Sequence, residues 1–259
     1  MTATRLTNPM IRTSDQFHDD VNKLLEEGLF QEALDLARQG IRRFPGDRPL
    51  ALLEAMSLGS LGHYPLARDI LEGLRRVEPD AGGILSELTE VYLNLGKKKN
   101  AIRCAREALR LADCDEEDPL RFAEMFDAHG LPAEVARCSA LAIRMNPRSA
   151  EGWFRLGCAV WSSGHTTAAE SCCRRAVNLM PEFWIAVTML AVICFDERRF
   201  EEAKVLWERV PMEEHQDSAS LVRWRSLLRS SDSQVKEIRR RWREIRAEER
   251  PRPPHPLLR

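Results

Sequence analysis

The chain has 259 residues, and its hydrophobic content of 44% is enough to bury a continuous core in one or two domains or in one solenoid. The formal net charge of −1 is unevenly spread, since residues 218–259 carry 12 Lys/Arg against 5 Asp/Glu and the remainder is acidic. This composition excludes a largely disordered chain, and no apolar run reaches the roughly 18 residues that a membrane-spanning helix needs.

The first residues and the cysteines indicate where the protein works. Residues 1–16 contain no uninterrupted apolar stretch of the kind found in a secretory signal peptide, so we expect a cytoplasmic protein without membrane insertion. The seven cysteines are an odd number and show no C-x-x-C spacing, which favours reduced thiols over a disulfide framework. Arginine greatly outnumbers lysine, which suggests a GC-rich genome and a bacterial source.

A period of 34 residues organises most of the chain. Glycines recur at this interval, with an arginine in the sixth slot: Gly28, Gly62, Gly96, Gly130, Gly164 and Arg198. A small apolar residue follows five positions after each of them: Ala33, Ala67, Ala101, Val135, Ala169 and Ala203. Late prolines occur in four units: Pro45, Pro79, Pro147 and Pro181. The period predicts six units without insertions: 14–47, 48–81, 82–115, 116–149, 150–183 and 184–217.

Each unit is predicted to form two helices joined by a tight turn. Apolar residues recur at spacings of three and four on both sides of the glycine, and in the fifth unit the first stripe contains Trp153, Leu156 and Val160. The glycine suits a turn with a positive φ, and the late proline ends the second helix because it cannot continue the hydrogen-bond ladder. Further prolines stand where helices should begin, a position that needs no N–H donor: Pro49, Pro65, Pro119 and Pro132.

These units resemble the tetratricopeptide repeat. The family signature has a large apolar residue at position four, Leu and Gly at seven and eight, another large apolar residue at eleven, alanines at twenty and twenty-seven, and a late proline. The first unit departs from it with Asp20 and Gly40, whereas the fifth matches it with Trp153, Leu156, Gly157, Val160, Ala169, Ala176 and Pro181. The resemblance covers residues 14–217 and implies an all-α, right-handed superhelical solenoid of six helix-turn-helix units.

The two ends complete the predicted domain organisation. Residues 1–13 are expected to form a flexible N-terminus, and residues 218–249 a degenerate seventh repeat whose two helices cap the solenoid. Residues 250–259 are too rich in proline for a helix, so we expect a disordered Pro/Arg-rich tail there.

The resemblance also implies a binding groove, because the first helix of each repeat lines the concave face and positions two, five, nine, twelve and thirteen tend to face the ligand. In the first and third units these positions are polar and include Asn22, Glu90 and Asn94. In the fifth and sixth units they are mostly apolar, and with two neighbours they form a candidate patch: Phe154, Arg155, Cys158, Trp161, Thr188, Met189, Val192 and Phe195. Such a patch favours contact with a partner's peptide or helix. Coverage by the chain's own tail or by a second copy, and burial in the core, are the alternatives.

Other chemistries find less support in the sequence. A zinc site is suggested by one group: Cys158, Cys172, Cys173, Cys194 and His165. However, Cys104, Cys138 and Cys172 hold equivalent positions in successive repeats, about 10 Å apart at the helix-packing distance, which favours small buried side chains over metal ligands. The acidic stretch 113–124 has a calcium-loop spacing but lacks the central glycine, so a helix-capping turn is favoured. No catalytic motif occurs, and we predict no metal, cofactor or catalytic residue.

The resulting hypothesis is a non-catalytic scaffold or chaperone-like adaptor that binds a protein partner's peptide or helix. A clamp for a partner's C-terminal carboxylate is disfavoured, because Leu53 and Glu87 stand where the family's clamp has an Asn and a basic residue. The alternative is a nucleic-acid-associated protein that uses the arginines of residues 239–252. The acidic body of the chain argues against nucleic acid, and the same cations could bind a second copy in a homo-oligomer.

Overall fold

A computed structural model describes residues 12–111, 114–115 and 117–211. The regular structure in these ranges is entirely α-helical, which confirms the predicted fold class. The described helices are α1 (Ser14–Glu26), α2 (Phe30–Arg43), α3 (Arg48–Ser60), α4 (Tyr64–Val77), α5 (Gly82–Asn94), α6 (Lys98–Ala108), α7 (Asp118–Ala128), α8 (Pro132–Met145), α9 (Ala150–Ser162), α10 (Thr166–Leu179), α11 (Trp184–Asp196) and α12 (Phe200–Arg209).

The chain divides into two compact units between Cys114 and Asp115. In the first unit each helix from α1 to α6 packs against the next, and α3 also contacts α1 and α5. The first helices of three successive pairs are therefore neighbours. Phe17, Val21 and Leu50, each at most 2% exposed, belong to the core cluster formed by α1, α2 and α3.

The second unit has the same arrangement. Each helix from α7 to α12 packs against the next, and α9 also contacts α7. Helix α11 carries no charged residue before its last position and buries seven side chains, as expected for a helix enclosed by neighbours. Trp207 of α12 lies in the same core cluster as Leu190 and Ile193 of α11, and its side chain has no exposed surface.

Prolines mark both ends of the helices. Pro49, Pro65, Pro119 and Pro132 lie in the first turns of α3, α4, α7 and α8, as predicted. At the other end, four second helices stop two residues before a proline, and the intervening residue has φ between −121° and −136°: Phe44, Glu78, Asn146 and Met180. A proline ring clashes with a helical conformation of the residue before it, which explains why these helices end there.

The turn inside each helix pair contains one residue in the left-handed conformation. The predicted turn glycines have φ between 63° and 83°: Gly28, Gly62, Gly96, Gly130 and Gly164. In the sixth turn Arg198 adopts φ of 61°, and among the described residues it is the single non-glycine residue with a positive φ. A side chain in this conformation costs roughly 1–2 kcal/mol, so the sixth turn is strained relative to the other five.

We expect Arg198→Gly to raise the free energy of unfolding by about 0.5–1 kcal/mol, because relief of the left-handed strain outweighs the larger entropy that glycine loses on folding. Gly164→Ala, which introduces a Cβ at φ of 83°, should lower it instead. Chemical denaturation followed by circular dichroism measures both changes. A destabilised Arg198→Gly variant would contradict this account of the turn.

The start of α3 is tied to α1 through Asp47. Its carboxylate accepts the backbone N–H of Leu50 at 2.9 Å and the hydroxyl of Ser14, and its Oδ1 lies 2.9 Å from Nε2 of His18. Burial opposes ionisation of Asp47, but these hydrogen bonds outweigh it and hold the pKa of the carboxyl below its usual value. The contact fixes the relative positions of two first helices that line the candidate site.

Three parts of the predicted domain organisation lie wholly or mostly outside the described residues. These are the N-terminus 1–13, the capping pair 218–249 and the tail 250–259, and they stay predictions. The boundaries of the six units and the right-handed superhelix also stay predictions. Within the described ranges, every helix is too short or too polar to span a membrane.

Candidate functional site

The first unit contains a concave pocket of about 410 Å³, here named the Gly59 pocket. It lies on the side formed by the first helices α1, α3 and α5, with one residue each from the starts of α2 and α4. Its lining residues are Asn22, Leu25, Glu26, Phe30, Met56, Gly59, Ser60, Tyr64, Glu87, Glu90 and Val91. Two of the polar residues predicted to face a ligand, Asn22 and Glu90, therefore meet in one cavity.

Gly59 opens the pocket. It lies in the last turn of α3, and a Cβ added there would meet only one neighbouring atom within 4 Å, Cγ2 of Val91 at 4.0 Å. Met56 lies one helical turn before it, so the two leave a gap with apolar walls between α1 and α5. The space exists because the residue at this position of α3 has no side chain.

The lining of the Gly59 pocket carries negative charge. Three of its residues are glutamates, Glu26, Glu87 and Glu90, and none is Lys, Arg or His. Asn94, the third predicted polar residue, is exposed outside this lining, and its Nδ2 donates a hydrogen bond to the backbone oxygen of Glu90 at 3.0 Å. Carboxylates around a concave apolar surface concentrate negative potential and favour cationic ligands.

Sequence reasoning missed the contribution of α3. Met56, Gly59 and Ser60 occupy positions nine, twelve and thirteen of the second unit, the same positions that gave Asn22 and Glu26 in the first. Applying the ligand-facing positions to the second unit as well would have found them. A glycine at position twelve gives no chemical signal of a site, because it contributes space and no side chain.

In the second unit, most of the candidate patch is half-buried. Phe154, Trp161, Met189 and Phe195 are partly exposed and pack against the core cluster. The ring of Phe154 contacts Phe183 edge-on at 5.2 Å between centroids, so it bridges α9 to the segment before α11. These side chains expose part of their surface to solvent, and the rest of their surface packs between helices.

One patch residue lies in the core cluster, and another packs against it. Val192 is 5% exposed and belongs to the buried cluster, so its prediction as a groove residue is corrected. Phe195 lies with its ring centroid 5.4 Å from that of Phe200 and 5.9 Å from that of Trp207, both in α12. The physical reason is that α12 offers a large apolar surface, against which aromatic and aliphatic side chains of α11 pack.

The polar members of the patch are half-buried. Arg155 pairs with Glu151 at 2.7 Å and with Glu124 at 3.7 Å, while Thr188 is partly exposed on α11. Burial raises the pKa of the Cys158 thiol to about 12. Cys158 is therefore a protonated thiol at neutral pH and contributes an apolar surface to the patch.

One group of side chains in the second unit has the composition of a metal site. The ligand atoms of Glu170, Cys194 and Glu202 lie within 4.8 Å of one another. However, guanidinium groups already neutralise both carboxylates: Arg199 contacts Glu170 at 2.7 Å and Glu202 at 3.0 Å, and Arg174 also contacts both. The hydrogen bond from Arg199 lowers the pKa of Glu170, whereas burial raises that of Cys194 to about 11. The group forms an ion-pair network between α10 and α12.

All seven cysteines are free thiols in the structure. Those at position twenty-three of their repeats, Cys104, Cys138 and Cys172, are buried, as expected for small apolar side chains. Burial raises the pKa of Cys104, Cys172 and Cys173. In the predicted acidic turn, Oδ1 of Asp115 accepts the N–H groups of Glu117 and Asp118 at 2.8 and 3.0 Å, which makes it a helix-capping group.

Family comparison agrees with the helix pairs described above. Two models of the tetratricopeptide repeat match the chain, over residues 52–119 and 150–183. The chain contains tetratricopeptide repeats. This confirms the resemblance predicted from the fifth unit, and the second match coincides with that unit.

Solved structures share the fold of this tetratricopeptide repeat protein at low sequence identity. A tetratricopeptide repeat protein from Parabacteroides merdae superimposes with a TM-score of 0.61 at 14% identity, over 86% of this chain and 96% of that one. YrrB, described as a tetratricopeptide repeat protein with an unusual peptide-binding site, gives a TM-score of 0.51 at 17% identity, over 68% and 90%.

The human protein O-mannosyl-transferase TMTC1 is 23% identical to the tetratricopeptide repeat protein over 184 residues, which is 68% of this chain. The chain spans only 20% of the length of that relative.

Proposed function

We propose that this tetratricopeptide repeat protein is a scaffold that holds an extended or helical segment of a partner protein against its first helices. Its repeat fold supports a role in protein interaction in general. The observation that carries the more specific proposal is the Gly59 pocket, since it is lined by residues of three successive first helices. A side chain of a partner can enter such a pocket, while the adjoining helices contact its backbone.

The patch in the second unit supports a second contact surface. Ile185, at position two of the sixth repeat, is 56% exposed, and Trp161, Thr188 and Met189 add half-buried surface in the same unit. YrrB is described as having a peptide-binding site, which is consistent with a peptide as the ligand of a related fold. We propose the same class of ligand for this chain, with Phe154 and Arg155 beside it.

We also propose that the protein is not an enzyme. The relative named as a mannosyltransferase is matched over only 20% of its length, and the repeat family generally serves as a scaffold. Among the described residues, burial raises the pKa of the Cys158 thiol, and Glu170 is tied to two arginines. A chaperone-like adaptor in the cytoplasm, able to form homo-oligomers and requiring no cofactor, remains our proposal. Nucleic-acid binding by residues 239–252 stays an alternative prediction outside the described residues.

The test is site-specific photo-crosslinking of the full chain in its native cells. A photoreactive residue placed at Ile185 of α11 should cross-link partner protein, whereas one at Val205 of α12 should not. The two positions form a matched pair, because their side chains are 56% and 58% exposed but lie on a first and a second helix. Asn22 on α1 and Leu66 on α4 provide the same comparison in the first unit. Equal cross-linking from first and second helices would contradict binding on the first-helix side.

A further inference from the structure

We infer that the Gly59 pocket selects a basic peptide segment, one that places an arginine or lysine against Glu26 and Glu90 and an apolar side chain over Gly59. This inference rests on the proposed function, because the inference specifies the chemistry of the partner segment that the protein is proposed to bind. A cationic partner peptide fits the pocket in both charge and shape.

Several glutamates of the first unit are already paired with arginine, but two in the pocket are not, within the described part of the chain. Outside the pocket, arginines contact Glu54, Glu72, Glu78 and Glu107. Glu26 and Glu90, in contrast, are exposed and have no ion pair with any cation among the described residues. Two unpaired carboxylates at the rim therefore face an approaching ligand, and Glu87 adds a third carboxylate to the lining. A cationic side chain gains charge-assisted hydrogen bonds there.

The space above Gly59 can hold an apolar side chain. Because a Cβ at this position would touch only Cγ2 of Val91 at 4.0 Å, the pocket has room for a side chain from outside. Its apolar walls are Leu25, Phe30 and Met56. Removal of an apolar side chain from water into this gap supplies binding free energy that the rim charges alone cannot give in water.

An acidic ligand does not suit the pocket. A partner's C-terminal carboxylate would lie among three glutamates without a cation in the lining, and like charges repel. The second unit has another pocket of about 340 Å³, where Arg121 lies among Glu117, Glu124 and Glu151. Arg155 already contacts Glu124 and Glu151, so two of the three carboxylates there are paired, whereas the two rim carboxylates of the Gly59 pocket have no ion pair among the described residues.

The experiment is an unbiased peptide selection with a steric block. A display library of random peptides is selected on the full chain, in parallel with Gly59→Leu and Gly73→Leu. The leucine side chain introduced at position 59 would occupy part of the pocket, and the backbone there has no positive φ that would strain it. Gly73 is the matched control, since it is also helical, lies in α4, is exposed, and has no atom within 4 Å of an added Cβ. Circular dichroism confirms that all three proteins are folded.

We expect the wild type and Gly73→Leu to enrich the same peptides, with an excess of Arg and Lys next to an apolar residue. Gly59→Leu should bind the best of these peptides about tenfold more weakly or worse. Glu26→Gln with Glu90→Gln should also weaken binding and reduce its dependence on salt, because screening acts on the charge contacts. These two losses identify the apolar and the ionic part of the site separately.

Two results would overturn the inference. Enrichment of acidic or neutral peptides that Gly59→Leu no longer binds means that the pocket binds peptides of another class, and the proposed function survives. Equal selection by the wild type and Gly59→Leu means that the pocket is not a peptide site at all. Failure of the proposed function is recognised separately, by cross-links that do not favour the first helices in the photo-crosslinking experiment.

Discussion

Trp207→Ala is expected to lower the free energy of unfolding by about 3–5 kcal/mol, the range for removing a large aromatic side chain from a core. Trp207 has no exposed surface and is the largest fully buried side chain among the described residues. Its ring lies 5.9 Å from that of Phe195, in the cluster that joins α11 to α12. The cavity left by alanine would remove contacts from both helices of the sixth repeat.

Two variants separate packing from other effects. Trp207→Phe keeps most of the apolar volume and removes an indole N–H that is buried without a hydrogen-bond partner, so its loss should be clearly smaller than that of Trp207→Ala. Val205→Ala, at a position 58% exposed in the same helix, should change stability little. Urea denaturation followed by circular dichroism gives all three values. Equal losses for the phenylalanine and alanine variants would show that core volume at Trp207 is not what stabilises the repeat.

The position of the turn between the two helices of a pair could be predicted from the sequence, because the backbone conformation of the turn favours one residue type. A residue with positive φ separates the two helices of each of the six described pairs, and glycine adopts that conformation most easily, so Gly28 and Gly164 mark their turns directly. Arg198 shows that the period predicts a turn better than residue type does, since it adopts the same conformation without being glycine.

The side of a helix that lines a pocket could be predicted where side chains are small or polar. Asn22 and Glu90 line one pocket, where water can solvate them, and their contact with a ligand stays a prediction. Large apolar residues follow a different rule. Position twelve is Gly59 in α3, which lines the pocket, but Phe195 in α11, which contacts Phe200 and Trp207. Which way such a side chain turns depends on the apolar surface across from it, and that is a property of the tertiary packing.

Gly157→Ala is expected to lower the free energy of unfolding by about 1–3 kcal/mol, and Gly157→Leu by more, because both overfill a close contact between α9 and α10. A Cβ at this position would lie 2.9 Å from Sγ of Cys173, 3.3 Å from Cβ of Cys172 and 3.4 Å from the backbone oxygen of Ala169. Sγ of Cys173 is fully buried, so it has little freedom to move aside. The two helices would have to separate to admit the extra carbon.

Gly73→Ala provides a control of opposite sign. An added Cβ at Gly73 meets no atom within 4 Å, and replacing a helical glycine by alanine should stabilise the protein by up to about 1 kcal/mol.

Cys173→Ala removes the nearest clashing atom. A double-mutant cycle of Gly157→Ala with Cys173→Ala should therefore show that the double variant loses less stability than the sum of the single losses. Thermal and urea denaturation of the four proteins measure that coupling. If Gly157→Ala is stabilised as Gly73→Ala is, α9 and α10 can accommodate an added Cβ. The glycine of the repeat signature is then not required here for close packing.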